Sequence, residues 1–392
     1  MMKKLLSLLL GVAIAASSLT ACSNNDTKSK EESTSITSES TTSKVDTENA
    51  SETKEISVDY SKNFKIEILE NGIKKVTDGE DRELILVPKS LGEIPAEYKD
   101  SIVITTPVEN AVFLSATQLS MLRVADNDDI WDAVGAVNVD RASLKGLDKI
   151  TSRMDSGKII SVGGEMGQPD YEQIQALNPD VVFLYTGEYG QQDAIAKLDE
   201  LGINYAVDND YLEKNYLARM EWMKFVLSFY NAEDDAMNYM LNTKKTVDDI
   251  KGKLEGVEGK KVAIFSMFDG LGYATNDNSW VGSIIKEMGG INVFSDINED
   301  TITAEGLFSR VQDADVIIYS ATPEYCDGLT AIEEAFPQIK ECEAYKNGGV
   351  YQFSDLYWLG IDQTDIIASD LASIINPDIF KDKELTYYIK LK

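Results

Sequence analysis

No histidine occurs anywhere in the 392 residues. That absence excludes His-ligated zinc, manganese or haem iron, and every Ser-His-Asp triad. Cysteine is nearly as scarce, with 3 in all. Cys326 and Cys342 are the two that fall in the folded part, and two thiols cannot complete a Cys₄ site. They stand equally as free thiols or as one disulfide, because the sequence does not give their Cα separation. Basic residues are few: 37 Lys and Arg against 67 Asp and Glu leave a net charge of −30. A chain of that sign lacks the basic patches that nucleic acid requires, and it suits a soluble surface protein. No Gly-x-x-x-x-Gly-Lys-Ser/Thr phosphate loop and no Gly-x-Ser-x-Gly nucleophile elbow occurs. No nucleophile–base pair is visible, so the chain does not read as an enzyme; a carboxylate-only surface glycoside hydrolase is the enzyme hardest to exclude.

What is present begins with a leader. Lys3 and Lys4 precede an apolar run from Leu5 to Ala16, too short to span a ~30 Å hydrocarbon core. Leu19-Thr20-Ala21-Cys22 follows and resembles a bacterial lipobox, which implies cleavage before Cys22 and lipidation of its thiol. Removing residues 1–21 takes away two lysines and moves the charge from −30 to −32. No later apolar run reaches the ~18 residues of a membrane span. The expected location is extracytoplasmic, lipid-anchored to the cell membrane.

Residues 22–55 are Ser, Thr, Glu, Asn, Asp and Lys with almost no large apolar side chain. Such a stretch cannot bury enough surface to offset ordering entropy, so it reads as a disordered tether. An N-terminal lobe is expected over 56–232, opening with a small β-hairpin element on its edge. Phe64 to Leu69 alternates, Asn71-Gly72 is a hairpin turn signal, Ile73 to Val76 returns, and Leu84 to Val87 adds a third strand. From Ser101 the pattern becomes strand–loop–helix. Ile102-Val103-Ile104 is read as the lobe's first strand, with a helix from about Glu109. Val134 to Val137, Val181 to Leu184 and Tyr205 to Val207 are further strands. A long helix is expected at 233–256, about 35 Å if regular, long enough to join two lobes. A C-terminal lobe, 257–392, repeats the pattern with strands at Lys261 to Phe265, Val316 to Tyr319 and Gly349 to Tyr351. The fold class is therefore α/β: two Rossmann-like lobes with mostly parallel sheets joined by a single long helix. A weak internal repeat agrees. Asp170 and Thr303 are each a natural N-cap, followed by Glu172 and Glu305, a helix, and then a strand.

This layout resembles the class III substrate-binding proteins of ABC importers, which take iron–siderophore, haem or cobalamin. Pro169 to Val182, containing Ile174-Gln175-Ala176-Leu177-Asn178-Pro179-Asp180-Val181-Val182, looks like that family's first-lobe segment. Asn278-Ser279-Trp280 through Met288-Gly289-Gly290, Ile302 to Ile318, and Ala344 to Tyr351 look like second-lobe segments. The hairpin with Leu86-Val87-Pro88 and the Leu217 to Trp222 segment resemble an iron-complex subgroup. The likeness covers about residues 56–380 and rests on order and spacing.

The resemblance implies a ligand held between the lobes, with a permease dimer and its ATPase as partners. Ligands of open α/β sheets sit beyond the carboxyl ends of the strands. The loops there offer Met166, Tyr185, Tyr189, Met267, Phe268, Tyr273, Tyr325, Tyr357 and Trp358 as apolar or aromatic faces, each of which could equally pack under its loop. Arg219 is a candidate for an anionic group of the ligand, or a surface residue at a helix start. By the resemblance, Glu172 and Glu305 dock into the permease; first-turn carboxylates also favour the helix dipole. No protein metal site and no cofactor are expected. A ferric siderophore brings its own coordinating oxygens and fits such a cleft, with cobalamin or haem as the alternatives on the same fold.

Overall fold

The computed structural model describes residues 54–163, 168–187, 190–299 and 301–392. Three sheets organise them. The first has the order β1-β2-β3-β4-β5: β1 (Lys54–Glu55), β2 (Lys65–Ile68), β3 (Lys74–Thr77), β4 (Glu83–Pro88) and β5 (Ile102–Thr106). The hairpin turn falls where alternation and Asn-Gly place it. Asn71 and Gly72 take φ of 59° and 74°, a conformation these two residues tolerate best, and β2 and β3 pair antiparallel.

The second sheet has the order β10-β9-β6-β7-β8: β6 (Ala111–Phe113), β7 (Val134–Val137), β8 (Ile160–Ser161), β9 (Val181–Leu184) and β10 (Tyr205–Val207). Every pairing in it is parallel. Two expectations are corrected here. Ile102 to Ile104 does not open this sheet; β5 runs parallel to β4 and closes the first one. No helix starts at Glu109 either. Ala111, Val112 and Phe113 form the central strand, with no exposed surface, and the helix Ala116–Met121 follows, capped by the Ser115 side chain. A three-residue strand is too short to show a period, which is why the sequence pattern hid it.

The third sheet runs β14-β12-β11-β15-β16-β17, with β13 also on β11: β11 (Lys260–Phe268), β12 (Leu271–Ala274), β13 (Gly290–Asn292), β14 (Thr301–Thr303), β15 (Val316–Tyr319), β16 (Val350–Phe353) and β17 (Tyr388–Lys390). Its centre, β11 with β15 and β16, is parallel; β12, β14 and β17 are antiparallel additions.

Two helices join the sheets. Tyr216–Ser228 is buried all round, Leu217 excepted, so its charged residues must be paired. They are: Arg219 with Asp210, and Lys224 with Glu221. The helix Glu233–Lys253 comes next, with Glu233, Asp234 and Asp235 in its first turn and Lys251 and Lys253 in its last, each sign at the favourable end of the dipole. Its buried face is Ala236, Met240, Thr243, Val247 and Ile250, at helical spacing. One hydrophobic cluster runs without a break from Phe113 and Phe183 through Trp222 and Val247 to Trp280, Tyr357 and Leu371. All three sheets contribute to this cluster and so share a core at the junction. A separate cluster around Phe265, Ile317 and Ile332 serves the third sheet alone.

Candidate ligand cleft

The loops after β7 and β16 leave the carboxyl ends of different sheets, yet they meet. Lys145 Nζ lies 2.7 Å from an Asp355 carboxylate oxygen. Next to it Arg123 Nε and Nη2 donate to the two Asp362 oxygens at 2.8 and 2.6 Å, and Nη2 also donates to the Leu359 carbonyl. The strand ends of the second and third sheets thus face one another, which is where ligands of open α/β sheets bind. Burial pushes the Asp362 carboxyl up to about 6, against the pull of Arg123.

An aromatic column crosses the same junction. Phe353 stacks on Tyr357 with centroids 3.6 Å apart and planes 4° apart; Tyr357 lies 5.9 Å from Trp280; the Arg219 guanidinium sits 4.1 Å over the Trp280 ring. Arg219 Nε then donates to Asp210 Oδ2 at 2.8 Å. Beyond it, burial and then the adjacent Asp210 hold the Asp208 carboxyl well above its ordinary range. Burial also raises Asp210, and Arg219 opposes that.

These positions settle several candidates. Arg219 is neither at the surface nor open to a ligand: it is buried, and Asp210 and Trp280 occupy it. Tyr357 has no exposed surface and belongs to the column. Met267 is buried in the third sheet's own core. Trp358 is half-buried with its indole edge on Phe353 and Tyr357, 5.5 and 5.4 Å away. Tyr185, Phe268, Tyr273 and Tyr325 are half-buried: Tyr185 follows β9, Phe268 ends β11, Tyr273 lies within β12 and Tyr325 packs against the third sheet's core. Tyr185 meets Tyr211 edge-on at 5.5 Å, and Phe268 meets Tyr273 at 6.5 Å. Met166 and Tyr189 lie outside the described residues, as does Cys22.

Glu172 and Glu305 are both exposed. Each is the second residue of its helix, Tyr171–Leu177 or Ala304–Val311. The caps are as expected: the Asp170 carboxylate accepts from Gln173 N–H and the Thr303 hydroxyl from Gly306 N–H. Cys326 and Cys342 are both free and buried. Among the described residues there is no group of three or more Cys, Asp and Glu arranged to hold a metal ion.

One wall was missed. The β3–β4 turn reaches the carboxyl ends of β9 and β10. Gly79 N–H donates to the Val207 carbonyl at 2.9 Å, and Asn209 Nδ2 donates to the Gly79 carbonyl at 3.2 Å. The Thr186 hydroxyl donates to the Glu80 carboxylate. A Cβ on Gly79 would come within 2.8 Å of the Asn209 amide, so this approach needs glycine. The Asp78-Gly79 pair was the available signal.

Comparison with known proteins places this architecture. Residues 124–356, more than half the chain, match the periplasmic binding protein family, and the chain belongs to that family. It is 30% identical over 294 residues to the uncharacterised lipoprotein MJ0878 of Methanocaldococcus jannaschii, covering 74% of this chain and 70% of that one. It is 26% identical to the Fe(3+)-citrate-binding protein YfmC of Bacillus subtilis, over 71% of this chain and 88% of that one. In fold it is similar to a periplasmic binding protein from Veillonella parvula, with a TM-score of 0.56 at 19% identity over 69% of this chain and 91% of that one. The class III, ABC-importer type of binding protein is thereby established, and the chain is a transport binding protein rather than an enzyme. The glycoside hydrolase alternative finds no support. Proteins of this family work with an ABC permease and its ATPase.

Proposed function

We propose that this chain is the extracytoplasmic, lipid-anchored subunit that captures a metal chelate, most readily an iron–siderophore complex, and hands it to its permease. The observation that carries the reading is the meeting of strand carboxyl ends from two α/β sheets, with half-buried aromatic rings on both sides and no protein metal site among the described residues. A chelate that supplies its own ligands to the metal needs only such a surface. The likeness to a ferric-citrate-binding protein supports iron as the cargo.

The lipobox-like Leu19-Thr20-Ala21-Cys22 supplies the anchor, and residues 23–55 set the reach of the binding subunit around the permease. Glu172 and Glu305, matched in place on two exposed helix starts, form the docking pair. The test is uptake of radiolabelled ferric chelate by cells with and without the chain. Loss of uptake on deletion, restored by the intact chain and not by Cys22→Ala, is expected. Undiminished uptake without the chain would contradict the reading.

A further inference from the structure

The ligand's charge can be read from where the cations are. All six arginines are held by carboxylates of the protein. Arg82 pairs with Asp78, Arg123 with Asp362, Arg141 with Asp155, Arg153 with Asp128 and Asp132, Arg219 with Asp210, and Arg310 with Asp296. Lys145, the lysine on the loop after β7, is paired with Asp355. The described parts of the other strand-end loops, 161–163, 168, 185–187, 190, 208–215, 266–278, 320–328 and 353–358, carry one lysine, the exposed Lys214, and otherwise only acidic charge. Exposed acids stand there: Asp269, Glu324 and Asp327, with Glu80 brought in on the β3–β4 turn.

A polyanionic chelate in this cleft would meet several acids of like charge, a single ammonium at Lys214 and no unpaired guanidinium, whereas binding an anion calls for several charge-assisted donors. The half-buried faces of Tyr185, Phe268 and Tyr273 add a surface that attracts cations through the ring quadrupole. We infer that the cleft selects metal chelates without net negative charge, cationic or uncharged, and rejects polyanionic ones. This rests on the metal-chelate reading above, and it separates this chain from its ferric-citrate-binding relative.

Calorimetric titration of the full chain tests it, with four probes: a cationic linear ferric trihydroxamate, an uncharged cyclic ferric trihydroxamate, ferric citrate and haem. The trihydroxamates are expected to bind at least about tenfold tighter than either anion, with the gap to the cationic probe shrinking as salt is raised. The variant Glu80→Lys/Glu324→Lys should narrow the same gap. Tighter binding of ferric citrate or haem than of both trihydroxamates overturns the charge assignment while leaving the chelate reading in place. A gap unchanged in the charge-reversed variant also overturns it. Binding of none of the four overturns the chelate reading, and the inference with it.

Discussion

Arg219 carries a structural charge, and its removal should be felt in stability. Arg219→Ala leaves Asp210 buried without its partner and Trp280 without its cation. A loss of about 3–5 kcal/mol is expected from chemical denaturation, the range for breaking a buried pair. Chelate affinity of the folded variant should stay near that of the parent. A large affinity loss at unchanged stability would restore Arg219 to the ligand. Asp362 makes a different prediction. Its folded value of about 6 lies above its ordinary 3.8, so the folded chain binds this proton more tightly than the unfolded chain does. Its contribution to stability is therefore full below about pH 4 and is lost as pH rises through about 6. The charged and titratable groups around it are Arg123, Asp365 and Tyr387. Asp362→Asn should lack this slope, so the difference between variant and parent denaturation midpoints should change across pH 4 to 7. An unchanged slope would contradict the assignment. Neither role was legible in the sequence. Arg219 looked like a free cation because its partner Asp210 belongs to a separate loop, and Arg123 finds Asp362 239 positions away.

At the scale of elements, the N-terminal segment is strapped to the buried helix Tyr216–Ser228. Glu221 Oε1 accepts from Asp59 N–H at 2.8 Å, and Oε2 from Tyr60 and Ser61 N–H at 2.7 Å each. Lys224 Nζ donates to the Ser57 carbonyl at 2.6 Å, and Ser61 Oγ to Glu213 at 2.5 Å. Phe64 completes the strap by packing on Trp222, 4.7 Å between centroids. The strap fastens the start of the first sheet's segment to that helix. Glu221→Ala orphans three backbone donors and Lys224, and should cost about 2–4 kcal/mol. The measurement is protease sensitivity near residues 57–61 together with the denaturation midpoint. An unaltered midpoint would show the strap to be incidental. Strands of four residues or more with β-branched runs, such as Val181–Leu184 and Val316–Tyr319, were legible because burial on both faces leaves a continuous apolar signature. β6 and the place of β5 were not. β6 is only three residues long; β5 was read as a strand but given to the wrong sheet, because which sheet a strand joins is a long-range matter that local pattern does not carry.

For the whole molecule, the α/β class with its parallel sheets could be read from the chain, as could the two capped helix starts. What escaped is how closely the halves are joined. A common hydrophobic cluster, the aromatic column and the Arg123–Asp362 clamp make the junction a packed interior. Lobe movement should accordingly be small, with ligand entering a largely preformed cleft. Docking is a property at this scale too. In the double variant Glu172→Ala/Glu305→Ala, uptake should fall while chelate affinity is unchanged. Equal loss of affinity would tie these residues to the ligand instead.

The central claim is that the paired sheets enclose one small metal chelate. Thermal unfolding of the purified chain with increasing uncharged or cationic ferric trihydroxamate tests this most directly. At a free ligand concentration about one hundred times Kd, binding to the folded form alone contributes about 2.7 kcal/mol. The account predicts a midpoint that climbs with ligand and a titration that saturates at one chelate per chain. A midpoint that does not move over the whole range of chelates, with no saturable binding, would contradict it.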